Sequence, residues 1–361
     1  MTIIYFILIL GIIVFVHEFG HFLFAKKAGI YVYEFSIGMG PQLFKWKRKN
    51  DETIYAIRLF PIGGFVQMAG EEVEVDENIP KEKRMQSKTW LQRFMTVIAG
   101  IMFNFILSII LLFIIGLISG CPTNKTLVGT VEENSMAYKA GLETGSTITK
   151  IDDKKVNNYD KLILEFQVRN GKTINFEVIT KDGETKKIAI TPEKVDNNGQ
   201  EAYKYGFSLE TPREYGFIAA LKFGFRKTFS LIEQMFFIIC YLFTGTLSLK
   251  SLSGPIGIFT LVGETAKTGF VNLIYLLALI SINVGFINFL PLPAFDGGRI
   301  LFLIIEKIKG SPIDSKVENI IHSIGFVLLM LLMVFICFND ISNIIKRWYS
   351  ETSLKGSIKQ L

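Results

Sequence analysis

Cysteine and histidine are scarce in this chain of 361 residues. Cys121, Cys240 and Cys337 form an odd set at wide spacing. Neither a disulfide framework nor a cysteine zinc site is indicated. The three histidines are His17, His21 and His322, and two of them fall within five residues. No long internal repeat and no low-complexity tract is present. No basic, aromatic-laced helix or strand set stands out either. The net charge of +6 therefore does not point to nucleic acid, and lysines and arginines beside membrane segments account for it. Charge itself is missing from several long windows.

Those windows are where the apolar residues gather. Apolar residues make up 50% of the chain, and Phe alone contributes 32. Residues 94–119 and 270–295 carry no charge, and residues 320–339 carry only His322. Residues 2–25 are apolar except for a His-Glu cluster. A bilayer core needs about 20 helical residues, so all four windows qualify as spans. The first begins at the N-terminus and runs past any plausible cleavage site, which predicts a retained anchor. Residues 234–249 are uncharged for a shorter stretch. Together with Lys222, Arg226, Lys227 and Glu233 they predict an amphipathic helix near the interface, over about 215–244.

Lys and Arg set the orientation. None precedes His17, while residues 26–93 carry many, among them Lys26, Lys27, Lys88 and Arg93 close to the spans. Residues 26–93 are therefore expected inside and residues 120–265 outside. The outer region includes short alternating stretches, such as 127–131, 147–151, 173–179 and 186–190. Lys181-Asp182-Gly183-Glu184 reads as a hairpin turn. The expected fold is a polytopic α-helical membrane protein with four transmembrane helices and an inserted α+β module.

His17 and His21 are four apart in a helical run, so both imidazoles share one face. The segment His17-Glu18-Phe19-Gly20-His21 has the His-Glu-x-x-His form. That form suits zinc on two nitrogens with a carboxylate base, here Glu18. The plainer alternative is a chance pair of helix histidines. Inside a lipid-spanning stretch, ionisable groups are costly and functional by default, which favours the metal. A catalytic zinc wants three protein ligands and one open position. His322 is a poor third ligand, at the start of the last span. Asp296 is better placed, directly after the third uncharged window and after the helix-breaking Pro291 and Pro293. Irregular backbone at membrane depth persists only where protein or a water cavity satisfies it.

Depth supports the pairing. His17 lies roughly 22 Å into the first span at about 1.5 Å per residue. In a core of about 30 Å this is the cytoplasmic half. With four spans the third runs from outside to inside and brings Asp296 to the same end. A fifth span over 234–249 reverses that.

These residues resemble the site-2 protease family of intramembrane zinc metalloproteases, of the bacterial regulator of sigma-E protease type. His17 to His21 matches the family's zinc motif. Asn288 to Gly297 matches its Asn-x-x-Pro-x-Pro-x-x-Asp-Gly motif. Phe35 to Pro41, Gly100-x-x-x-Asn104 and Ser253 to Gly257 match further family segments. Residues 54–70, with Gly63 and Gly64, resemble its membrane-re-entrant β-hairpin. The outer module resembles a PDZ domain through Asn134-Ser135-Met136-Ala137, Ala140-Gly141-Leu142 and Gly145. Ser146 stands where such modules often have Asp. One such module is present, whereas the Gram-negative relatives carry two.

The resemblance implies an N-terminal membrane domain over 1–120, a PDZ domain over 121–212, an interfacial helix and linker over 213–265, and a C-terminal membrane domain over 266–361. It implies Zn2+ on His17, His21 and Asp296, with Glu18 catalytic. Asn288, Gly63, Gly64 and Asn104 are candidates for binding substrate or the oxyanion, with helix packing as the alternative for both asparagines. Expected substrates are single-pass membrane proteins, including anti-sigma factors and signal-peptide remnants, cut after a prior exterior cleavage. The PDZ domain is expected to take a peptide or substrate C-terminus outside the bacterial inner membrane. The competing readings are a membrane scaffold and a metal transporter. An intact Glu18 argues against the first, and the nearly bare second and fourth spans argue against the second.

Overall fold

The computed structural model describes residues 1–71, 78–169, 171–197 and 200–358. Helix α1 (Thr2–Lys27) leads into strands β1 (Val32–Lys47) and β2 (Ile54–Met68), and α2 (Trp90–Ser119) follows. A β domain comes next, with β3 (Leu127–Val131), α3 (Met136–Lys139), β4 (Thr147–Ile151), α4 (Tyr159–Val168), β5 (Ile174–Ile179), β6 (Thr185–Ile190) and β7 (Phe207–Glu210). The chain ends in α5 (Phe217–Phe243), α6 (Pro255–Thr268), α7 (Phe270–Phe289), α8 (Asp296–Lys309) and α9 (Ser315–Ile358).

Among the described residues, four helices are long and apolar enough to cross a membrane: α1, α2, α7 and the Val317–Ser342 part of α9. This is the span count expected from the uncharged windows. The chain divides into two units. One comprises Met1–Leu112 and Ser253–Asp340, and the other Phe113–Leu252 with the end beyond Asp340.

In the first unit, Ile9 and Ile13 of α1 share a core with Val262 of α6 and Leu273, Leu276 and Ile280 of α7. The stretch expected as linker before residue 265 thus contains most of α6, packed on membrane helices. Its start is fixed by Asp340 of α9. The Asp340 carboxylate accepts the Gly254 and Gly257 N–H groups at 3.0 and 2.8 Å. Unsatisfied N–H groups at a helix start favour an anion, which gives the Ser253–Gly257 segment a structural role.

The sheet of this unit corrects one expectation. Residues 54–70 do not close a hairpin on themselves. Residues 34–37 of β1 sit opposite 64–67 of β2 on one side and 54–57 on the other, while 44–47 pair with 54–57. The result is a four-segment sheet in the order 64–67, 34–37, 54–57, 44–47. Gly38, Gly40 and Gly63 have positive φ, which lets the chain bend between segments. Arg58 ties the sheet together by donating to Glu34, Ser36 and the Gly40 carbonyl. Val32, Phe35 and Val66 face a core with Ala25 of α1 and Val97 and Ile101 of α2.

In the second unit the sheet order is β7–β3–β4–β5–β6. Along β5, Ile174, Phe176 and Val178 are buried while Asn175 and Ile179 are exposed, the period of two that marks a half-covered strand. The turn expected at 181–184 joins β5 to β6. Ser135 caps α3 and Asn158 caps α4, each accepting a backbone N–H. Helix α5 lies against α4 through polar contacts. Asp160 accepts from Lys227 and Ser230, and Glu233 accepts from Asn158. The fully buried Glu165 accepts from Tyr241 and Arg169.

Candidate metal centre and active site

The site begins at a close crossing of α1 and α2. A Cβ on Gly20 would stand 2.6 Å from the Ala99 carbonyl oxygen, and one on Gly100 would overlap His21 Nε2. Small residues let two membrane helices approach this closely. The crossing presses His17 and His21 against α2, and both are buried.

Partners on α2 fix both rings. His21 Nδ1 donates to the Thr96 carbonyl at 2.9 Å, which leaves the Nε2 lone pair free. Asn104 is fully buried, with its amide nitrogen 3.2 Å from His17 Nδ1. Its Oδ1 has no partner in that orientation. Turned by a half rotation, the amide accepts the His17 Nδ1 proton and frees Nε2 as a ligand atom. The Asn104 backbone carbonyl accepts from Ser108 and Ser281, which ties α2 to α7.

The third arm comes from the loop between α7 and α8. Leu290 ends α7 in an extended conformation, and Phe295 precedes α8 in another. Prolines at 291 and 293 prevent helix through this stretch. Asp296, the first residue of α8, then reaches the histidines. Its Oδ2 lies 3.1 Å from His17 Nε2 and 3.3 Å from His21 Nε2. The two Nε2 atoms are 3.2 Å apart. Tetrahedral ligands at about 2.0–2.1 Å from zinc stand about 3.3 Å from one another. The three separations match that spacing, and His17, His21 and Asp296 form a group able to hold a metal ion.

Three lone-pair atoms converging in a buried place repel one another unless a cation joins them. Among the described residues Asp296 Oδ2 has no conventional hydrogen-bond donor of its own. The donor set, two imidazoles and a carboxylate, fits zinc.

Glu18 stands beside this group on α1. A Cβ at Gly64 would approach Glu18 Cγ to 3.5 Å and the Ser36 carbonyl to 2.8 Å, and the Val66 backbone N–H faces the Glu18 carboxylate. The 64–67 edge of the sheet thus runs past the carboxylate, and Gly64 leaves room for the close Ser36 carbonyl on the neighbouring segment. Gly63 makes the bend before it, at φ 92°. Asn288 is half-buried in the last turn of α7. No hydrogen bond among the described residues ties it to the three-atom group. The structure therefore gathers His17, Glu18, His21, Asp296, Asn104 and Gly64. Thr96 was not expected, because its contribution is a backbone carbonyl.

The chain also resembles known proteins over most of its length. The profile described as Peptidase family M50 matches residues 5–332. The chain is 34% identical to the regulator of sigma-W protease RasP of Bacillus subtilis, covering 95% of this chain and 99% of that protein. It is 32% identical to the zinc metalloprotease RasP of Geobacillus kaustophilus, covering 94% and 97% respectively.

Proposed function

Given that this chain belongs to peptidase family M50, we propose that it cuts single-pass membrane proteins within their spanning segments. It is a zinc metalloprotease of the bacterial membrane. One observation carries the proposal. Three ligand atoms converge beside a carboxylate, and the histidines and Glu18 sit on a helix long and apolar enough to span a bilayer.

In this reading His17, His21 and Asp296 hold the zinc. Zinc supplies a Lewis acid for the scissile carbonyl and lowers the pKa of a water. Glu18 takes the proton of the attacking water and passes it to the leaving amine. Thr96 and Asn104 hold the histidine rings in the ligating tautomer, so Asn104 acts through His17. A helical substrate hides its peptide bonds in its own hydrogen bonds. The 64–67 edge receives an unwound segment by strand addition and presents it to Glu18. Asn288 remains a candidate for contact with the substrate backbone.

The β domain, residues 121–212, is read as a PDZ domain outside the membrane. Two helices on a sheet whose edge strand β7 pairs, among the described residues, with β3 alone support that reading. Tyr205-Gly206-Phe207 leads into β7, and Phe166 of α4 packs on Tyr205 and Phe207. A peptide C-terminus made by an earlier exterior cut would join that edge. The active site then lies in the cytoplasmic half of the bilayer. The printed name of the Bacillus subtilis relative makes anti-sigma factors the first substrate class to test.

The test is reconstitution of the full chain in vesicles with an anti-sigma-type single-pass protein, intact or trimmed outside. Mass spectrometry of the products should place the cut inside the apolar segment, and mainly in the trimmed form. A cut confined to the exterior part, or equal cutting of both forms, counts against the corresponding half of the proposal.

A further inference from the structure

The third histidine lies outside the ligand group, yet it touches the loop that carries a ligand. His322 is on α9, where its Nδ1 accepts the Ala294 backbone N–H at 3.0 Å. Ala294 is two residues before Asp296 and has φ 75°. A left-handed conformation is strained for any residue with a Cβ, and surrounding contacts must hold it. Prolines at 291 and 293 remove two further N–H groups from this loop. Ala294 is therefore one of the few positions by which the loop can be tied down.

A second contact acts beside the first. One turn along α9, Gly325 meets Pro293 so closely that a Cβ there would overlap the Pro293 ring. The Phe302 ring of α8 lies 5.5 Å from the His322 ring. His322 Nδ1 is an acceptor, so the ring proton sits on Nε2, with Glu318 Oε1 3.9 Å away. The α9 face formed by His322 and Gly325 is thus a seat for the Pro293-Ala294 turn.

We propose that His322 is a positioning residue for the metal site, fixing the turn that delivers Asp296 to His17 and His21. It acts through the Ala294 backbone and does not itself ligate. The inference rests on the reading of Asp296 as a zinc ligand. A turn free to relax from its left-handed conformation swings Asp296 Oδ2 away from the two Nε2 atoms. A hydrogen-bonded partner behind a ligand is worth about 10- to 100-fold in metal affinity.

The test measures zinc affinity of the purified full chain in detergent by competition with a chelator. Four proteins are compared: the parent, His322→Ala, His322→Asn and Asp296→Ala. The Asn amide oxygen occupies the place of Nδ1 and can accept the same N–H. Expected are a loss of about 10- to 100-fold for His322→Ala, and near-parent affinity for His322→Asn. Parent-like affinity in His322→Ala overturns the proposal. Equal loss in the Ala and Asn variants also overturns it, because ring packing then matters and the accepted hydrogen bond does not. Asp296→Ala separates the two layers. If it binds zinc as the parent does, the ligand assignment itself fails. If it loses zinc while His322→Ala does not, only the positioning role fails.

Discussion

At the scale of single residues the site is a matter of which atoms face inward. Gly100 has a Cα–H where any larger residue would place a methyl on His21 Nε2. Gly100→Ala should therefore weaken zinc binding by at least about tenfold, the size of a misplaced ligand. Zinc content after dialysis against a mild chelator reads this directly. Asn104→Leu, which removes the partner of His17 Nδ1, should act the same way and more weakly than Asp296→Ala. Much of this was legible in the sequence. Histidine spacing and the isolated Asp296 are side-chain signals, and the uncharged windows around them made the metal the cheapest explanation. The Thr96 carbonyl was not legible, since a backbone acceptor leaves no residue type to read. His322 was set aside as a ligand on its position alone, and its bond to Ala294 needs the fold to be seen.

At the scale of elements, helices were easier to read than strand pairing. Spans announce themselves by length and missing charge. The first sheet does not, because its central segment 34–37 pairs with residues on both arms of β2, and pairing leaves no local mark. The contact of α5 with α4 was equally hidden, since it depends on scattered polar residues. It makes a prediction. Burial, and then the Glu165 carboxylate, push the Tyr241 phenol up, so it stays a hydrogen-bond donor at any physiological pH. Tyr241→Phe leaves the buried Glu165 short of one donor and should cost about 1–3 kcal/mol, read as a lower urea midpoint for the β domain. A second prediction concerns acid. Burial opposes the charge on Asp152, but hydrogen bonds from Arg169 and from Asn175 outweigh it and hold the carboxyl below its usual range. A depressed folded value means stability fully present above about pH 4 and lost as pH falls through the folded pKa. Amide exchange around Asn175 should therefore quicken on the acid side in the parent. In Asp152→Asn that acid step should be absent.

At the scale of the whole molecule the claim is one of sidedness. Lysines and arginines crowd residues 26–93, and the metal residues join only if α1 and α7 bring their ends to the same side. A cysteine replacing Lys47 should react with an impermeant maleimide only from the cytoplasmic side, and one replacing Lys139 only from the outer side, in a background without Cys121, Cys240 and Cys337. The reverse pattern would invert the topology. Span count and site constrain each other: ligation by His17, His21 and Asp296 requires an even number of spans between α1 and the end of α7. The most direct measurement takes Glu18→Gln and the parent, both in vesicles with a single-pass substrate, and records zinc per chain alongside cleavage. Expected are one zinc in each and cleavage lower by about 10²- to 10⁴-fold in the variant. Undiminished cleavage with zinc in place would contradict the catalytic role of Glu18.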